Sequence, residues 1–260
     1  PELERAIVIN NDSLKLFFSE SFDSTTVLSP AIYTVDNGVG QPAGVDPVEP
    51  NYNSIILAFT QPFSEGITYS ISIADSITDC AGNYIDSDNS CRFAIPDSAV
   101  SGDILLNEIL FNPVSTGVDF VEIYNNSLKV LDLASIKIAS RKDETLELDP
   151  VEEITDGFLI FPGEYYVLTE NKQIVLDQYF SSNEEAFIEI EDLPSYNDDE
   201  DYVVLMDKYT NIIDEFKYTD DMHFELLKDA EGISLERINF TNPTQDENNW
   251  HSAAESVGYA

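Results

Sequence analysis

Apolar and polar residues alternate at period two through Ile67-Thr68-Tyr69-Ser70-Ile71-Ser72-Ile73, the spacing of a strand with one buried face. Similar short runs recur at Leu14–Phe18, Ile55–Phe59, Ile104–Phe111, Asp119–Tyr124, Tyr165–Leu168, Tyr202–Met206 and Asn211–Phe216. Turn-forming stretches separate them, among them Asp36-Asn37-Gly38, Phe161-Pro162-Gly163 and Asn197-Asp198-Asp199. No segment keeps an apolar stripe at helical spacing for more than about three turns. The one helix expected is short, near Lys172–Phe180. Many short strands with regular turn signals predict an all-β fold built as sandwiches or barrels.

The apolar pattern breaks once, in Ile95-Pro96-Asp97-Ser98-Ala99-Val100-Ser101-Gly102, and a new one opens at Asp103. This predicts two domains, 1–97 and 98–260, each large enough for its own core. Composition then changes the picture. Of 260 residues, 50 are Asp or Glu and 12 are Lys or Arg, a formal net charge of −38. Such acidity with few apolar residues would mean disorder, but 43% are hydrophobic and 11% aromatic, which argues for a folded chain. Affinity for nucleic acid needs clustered cations, so no nucleic-acid partner is expected, nor docking on an anionic bilayer. Residues 1–97 carry 14 acidic and 3 basic side chains, and 98–260 carry 36 and 9, for nets of −11 and −27. The acidity belongs mostly to the second half. No apolar run reaches the ~18 residues of a membrane helix, so no membrane insertion is expected within the chain. Pro1 stands where an initiator Met would be, so a piece of a longer protein is expected, with any targeting segment outside it.

Particular residues then bring two families to mind. The first half carries Leu16-Phe17-Phe18-Ser19-Glu20-Ser21-Phe22-Asp23, Tyr33-Thr34-Val35, Tyr69-Ser70-Ile71-Ser72-Ile73 and Ile77-Thr78-Asp79-Cys80-Ala81-Gly82-Asn83. It resembles the bacterial Ig-like domains of surface-layer and adhesin-type proteins. The second half carries Gly102 to Pro113, Asp119-Phe120-Val121-Glu122-Ile123-Tyr124-Asn125, Phe161 to Thr169, Gly232 to Arg237 and Asn249-Trp250-His251-Ser252-Ala253-Ala254. It resembles the bacterial lamin-tail domain, a small Ig-like β-sandwich. Together the resemblances imply two Ig-like β-sandwiches in tandem, in a secreted or cell-surface bacterial protein. Such domains sometimes stand beside nucleases or other hydrolases and are not themselves regarded as catalytic.

Candidate chemistry is sparse. Cys80 and Cys91 flank a polar loop; a disulfide closing it is expected over free thiols, worth about 3 kcal/mol by loop-closure entropy. Asp79 and Asn83 suit a tight turn about Gly82. Glu122 lies inside an apolar strand and needs a partner; Arg237 offers a bidentate one, so a structural Glu122–Arg237 ion pair is expected. Asp198, Asp199 and Asp201 form the acidic run best suited to calcium, and Asp86 and Asp88 a weaker one. Neither has the D-x-[DN]-x-[DN]-G spacing, and a solvated turn is the default at both. No cofactor is required. His223 reads as a surface-loop residue and His251 stands beside Trp250; no G-x-S-x-G, H-E-x-x-H or phosphate-binding glycine loop occurs. Tyr196, Tyr202, Tyr209, Tyr218 and Trp250 read as strand packing before a sugar-stacking patch. The expectation is a non-catalytic module for adhesion, anchoring or spacing, recognising a protein or glycan at the cell surface. Its alternative is an accessory, substrate-targeting segment of an extracellular hydrolase such as a nuclease or glycosidase.

Overall fold

A computed structural model describes residues 1–74, 76–85, 89–142, 145–154 and 157–253. The chain divides into two compact units, Pro1–Asp97 with Gly157–Leu159, and Ser98–Asp156 with Ile160–Ala260. Both are built of β-sheet, and the fold is all-β.

In the first unit the strands are β1 (Leu3–Asn10), β2 (Ser13–Phe18), β3 (Tyr33–Val35), β4 (Gly44–Pro47), β5 (Ser54–Ala58), β6 (Tyr69–Ile73) and β7 (Ser90–Phe93). They form an antiparallel sheet of order β1-β2-β5-β4 and another of order β3-β6-β7. Pairing Leu14 with Leu57 and Leu16 with Ile55 puts four aliphatic side chains on one buried face. Phe59, just after β5, meets Phe63, whose ring contacts Phe93 of β7 at 5.1 Å; Tyr69 of β6 stacks on Phe93 at 5.3 Å. These aromatic contacts tie the two sheets together.

The Asp79 turn forms as its residues predict. Its carboxylate accepts from the Ala81 and Asn83 N–H groups, each at 2.8 Å, and from Asn83 Nδ2 at 2.6 Å. Those donors, Asn83 foremost, hold the Asp79 carboxyl below its usual range. Gly82 takes φ +90°, a backbone state that favours glycine. The expected Cys80–Cys91 disulfide is not formed: both cysteines are free. Cys80 is exposed in this hydrogen-bonded turn, whereas Cys91 is fixed in β7 opposite Ile71, and burial pushes its thiol up to about 12. Cys80 follows Asp79 in its turn, while Cys91 is held in the β6–β7 ladder. Asp86 and Asp88 lie outside the described residues.

The rest of the chain forms β8 (Ile104–Leu110), β9 (Phe120–Asn125), β10 (Leu131–Asp132), β11 (Ile136–Arg141), β12 (Leu148–Glu153), β13 (Leu159–Ile160), β14 (Tyr165–Thr169), the helix α1 (Lys172–Gln178), β15 (Phe187–Glu189), β16 (Glu200–Asp207), β17 (Ile212–Thr219), β18 (Leu235–Arg237) and β19 (Trp250–Ser252), all of the second unit except Leu159. A six-stranded sheet runs β15-β14-β9-β8-β18-β19 and a four-stranded one runs β12-β11-β16-β17. Their facing side chains make the core: Ile109, Val121, Ile123 and Leu235 from the first, Ile138, Val203, Leu205 and Phe216 from the second, all fully buried. Phe216 stacks on Trp250 at 4.1 Å and Phe111 on Tyr218 at 4.0 Å. β14 and β15 pair in parallel, which needs a crossover; α1 supplies it. Val175 of α1 joins Leu110, Phe120, Val167 and Phe187 in a small apolar cluster on the outer side of the six-stranded sheet.

Candidate functional site

The strand register decides what that outer side presents. Glu108 of β8 stands opposite Glu122 of β9, and Glu236 of β18 stands opposite Glu108. Directly opposed residues share a face, so three carboxylates run side by side across the middle of the sheet. A β-bulge between Leu106 and Glu108 makes this alignment, and the extra residue, Asn107, donates Nδ2 to Glu122 Oε1 at 2.6 Å. Ser234 Oγ donates to Glu108 Oε1 at 2.5 Å. Glu236 faces His251 of β19, Nε2 to Oε2 at 3.6 Å. Burial, the Glu122 and Glu236 charges aiding it, raises Glu108 well above the carboxylate range; Glu122 is pushed up to about 7, chiefly by burial.

Beside this row lies an aromatic group. Tyr124, two residues along β9 from Glu122, stands opposite Tyr165 of β14, ring centroids 4.7 Å apart. Phe240 stacks on Tyr124 at 4.1 Å. Tyr165 is exposed, and Tyr124 and Phe240 are half-buried. The outer face thus runs from the apolar cluster under α1, through the carboxylate row, to three rings open in part to solvent. None of these rings was singled out from the sequence, because their closeness depends on register and on a loop returning Phe240 from beyond β18.

The expected Glu122–Arg237 pair is a misassignment. Arg237 points to the opposite face, between the sheets, where Nη2 lies 3.3 Å from Asp214 Oδ2 on β17. Its other bonds go to the Leu106 carbonyl (2.7 Å), Thr244 Oγ1 (2.5 Å) and the Asn242 carbonyl (3.3 Å), and its guanidinium lies over the Trp250 ring. Thr244 in turn donates to Asp214 at 2.6 Å. The reason is the period of two: Glu236 and Arg237 are neighbours in β18, so if one faces outward the other faces the core. Asp214, inside Ile212-Ile213-Asp214-Glu215-Phe216, gave the same signal as Glu122, a carboxylate within an apolar strand.

The acidic run at 198–201 divides. Asp201 is buried and its oxygens accept from Ser140 Oγ at 2.7 Å, Asn197 Nδ2 at 3.0 Å and the Tyr202 N–H at 2.7 Å, so it organises the turn into β16. Asp198 and Asp199 are exposed. Among the described residues no group of three or more His, Cys, Asp or Glu side chains is arranged to hold a metal ion. The five aromatics weighed as a patch do not gather: Tyr196, Tyr218 and Trp250 are buried, Tyr202 is half-buried and Tyr209 exposed. His223, expected on a surface loop, is 8% exposed, with Nδ1 2.9 Å from Ser252 Oγ. Burial lowers its pKa. Among the described residues no helix is long and apolar enough to cross a membrane.

Comparison with known proteins supplies the family. Residues 3–94 match the family model described as Bacterial Ig-like domain, and residues 97–220 match that of the Lamin Tail Domain. The chain carries a bacterial Ig-like domain followed by a lamin tail domain. The matched part of the lamin tail domain includes Glu108, Glu122, Tyr124 and Tyr165; Glu236 and Phe240, on or after β18, lie beyond it. No curated protein matches. Among solved structures, the N-terminal part of the bacterial S-layer protein SbsC is 18% identical, covers 64% of this chain, and has a TM-score of 0.33. A longer SbsC structure is 12% identical over 84% of this chain, with a TM-score of 0.32. A DUF4876 family protein from Bacteroides thetaiotaomicron VPI-5482 is 14% identical over 99% of this chain and 92% of its own, also at 0.32. The chain spans only 39% and 40% of the two SbsC chains. Scores this low mark a distant likeness and nothing finer.

Proposed function

We propose that this is a non-catalytic, secreted or cell-surface module whose lamin tail domain recognises a glycan or protein through the outer face of its six-stranded sheet. The observation that carries the reading is the ring group Tyr124, Tyr165 and Phe240 beside Glu122, turned away from the core. Ring faces next to carboxylates suit sugar stacking with hydroxyls hydrogen-bonded to the acids, or packing against an aromatic-tolerant protein surface. Catalysis finds less support there. Glu108 is 5% exposed and hydrogen-bonded to Ser234, so a substrate has no approach to it as the sheet stands. The two domain types together favour a surface setting, since both resemble modules of secreted or surface proteins.

A glycan array probed with the whole chain tests this, followed by Tyr165→Ala/Phe240→Ala on any hit. Binding that falls at least tenfold in the variant, with the Trp250 emission of the folded domain retained, supports the outer face as the site. Binding unaffected by the double substitution moves the site elsewhere.

A further inference from the structure

The carboxylate row has a property that goes beyond recognition and does not depend on any ligand. Opposed like charges on neighbouring strands destabilise a sheet, yet Glu108 faces Glu122 on one side and Glu236 on the other. The groups around them supply little positive charge. Toward Glu108 come the Ser234 hydroxyl and the phenol of Tyr179, which follows α1. Toward Glu122 come the Asn107 amide and Tyr165. His251 reaches only Glu236, and among the described residues no Lys or Arg forms an ion pair with Glu108 or Glu122. Protonating a buried member of such a row relieves both its desolvation and the repulsion from its neighbours.

We propose that Glu108 and Glu122, crowded together with Glu236 by the strand register, take up protons on folding, so that the lamin tail domain is held more tightly in mild acid than in mild alkali and its outer face gains negative charge as pH rises. Most proteins lose stability on acidification because native carboxylates are ionised and paired. Here the sign is reversed. Folding raises the affinity of Glu108 and Glu122 for protons over that of an unfolded Glu, near 4.3. Their contribution is complete below about pH 4.3 and is lost as pH rises through the folded values, about 7 for Glu122 and well above the carboxylate range for the buried Glu108. In that window each proton taken up on folding changes the folding constant about tenfold per pH unit.

The test is urea unfolding of the full chain between pH 5.5 and 8.5, followed by the fluorescence of Trp250, the chain's single tryptophan and a reporter of this domain alone. Two variants that each remove two carboxyl groups are compared, Glu108→Gln/Glu122→Gln and Asp198→Asn/Asp199→Asn, the second pair being exposed. Asp119 and Asp214, also raised by burial in this domain, contribute equally in all three proteins. The expected result is that the Gln pair flattens the pH dependence by at least tenfold per unit, while the Asn pair tracks the wild type. Equal slopes for both pairs would overturn the proposal. If the Gln pair does not fold, carboxyl-carbon NMR of the labelled wild type decides. Titration of Glu108 and Glu122 well above the ordinary carboxylate range supports the proposal, and titration of both at ordinary values overturns it. A glycan array can fail without touching either result, and the proposal can fail with the binding face intact.

Discussion

At the level of single residues, Arg237 shows how a correct chemical expectation meets a wrong partner. A buried guanidinium does need a carboxylate, but Asp214 supplies it, with Thr244 bridging the two. Removing one member of a buried pair leaves the other charge uncompensated. Arg237→Ala is therefore expected to destabilise the lamin tail domain by about 3–5 kcal/mol in urea unfolding. Glu122→Gln at pH 7.5 serves as the contrast: it is expected to be neutral or stabilising, since it removes charge from a crowded row, and a loss equal to that of Arg237→Ala would restore the original pairing. The cysteines give a second residue-level prediction. Cys80 is exposed, whereas burial holds the Cys91 thiol at about 12, far above the pH at which thiolates form. Native alkylation at pH 8 should label Cys80 rapidly and Cys91 only on unfolding, as read by peptide mass; a disulfide-linked peptide instead would overturn the free-thiol state.

Among the elements, those with a clean period were legible in the chain. Ser13–Phe18, Ser54–Ala58, Tyr69–Ile73, Phe120–Asn125 and Glu200–Asp207 coincide with expected runs because each buries one or both faces in a regular sheet. The helix near Lys172 was visible too, and Asn171 caps it, its Oδ1 accepting from the Ile174 N–H at 3.1 Å. Asn171→Ala should cost about 1 kcal/mol and speed amide exchange in α1 before the rest of the domain, since the helix adds only a small apolar cluster to the sheet's outer side. Elements of two or three residues, such as β10, β13 and β19, were not legible: strands so short carry no period, and only their neighbours decide that they pair. β1 was overlooked for another reason, since Glu4 and Arg5 interrupt its apolar residues with charge. The bulge at Asn107 had no local signal either, though it aligns the carboxylate row.

Across the whole molecule the charge of −38 acts as a diffuse repulsion, strongest over the second domain, which holds −27 of it. Screening should raise the melting temperature as sodium chloride increases. Calcium separates binding from screening: with Asp201 committed to its turn and Asp198 and Asp199 exposed, calcium and ionic-strength-matched sodium are expected to give the same shift. A larger shift with calcium, reversed by chelator, would show a bound ion. The alternation of apolar and polar residues, by itself, determined that this chain is all-β, and its motifs determined the order of two Ig-like domains, because strand period and turn chemistry are local properties. What only the tertiary structure decided is which charges meet. In β18 a single step along the chain separates Glu236, on the outer face, from Arg237, in the core, and each meets partners from other strands, Glu108 for the one and Asp214 with the Leu106 carbonyl for the other. Register is set by the packing of both sheets together, so the carboxylate row, the aromatic face and the Arg237–Asp214 pair exist only once the sheets have closed.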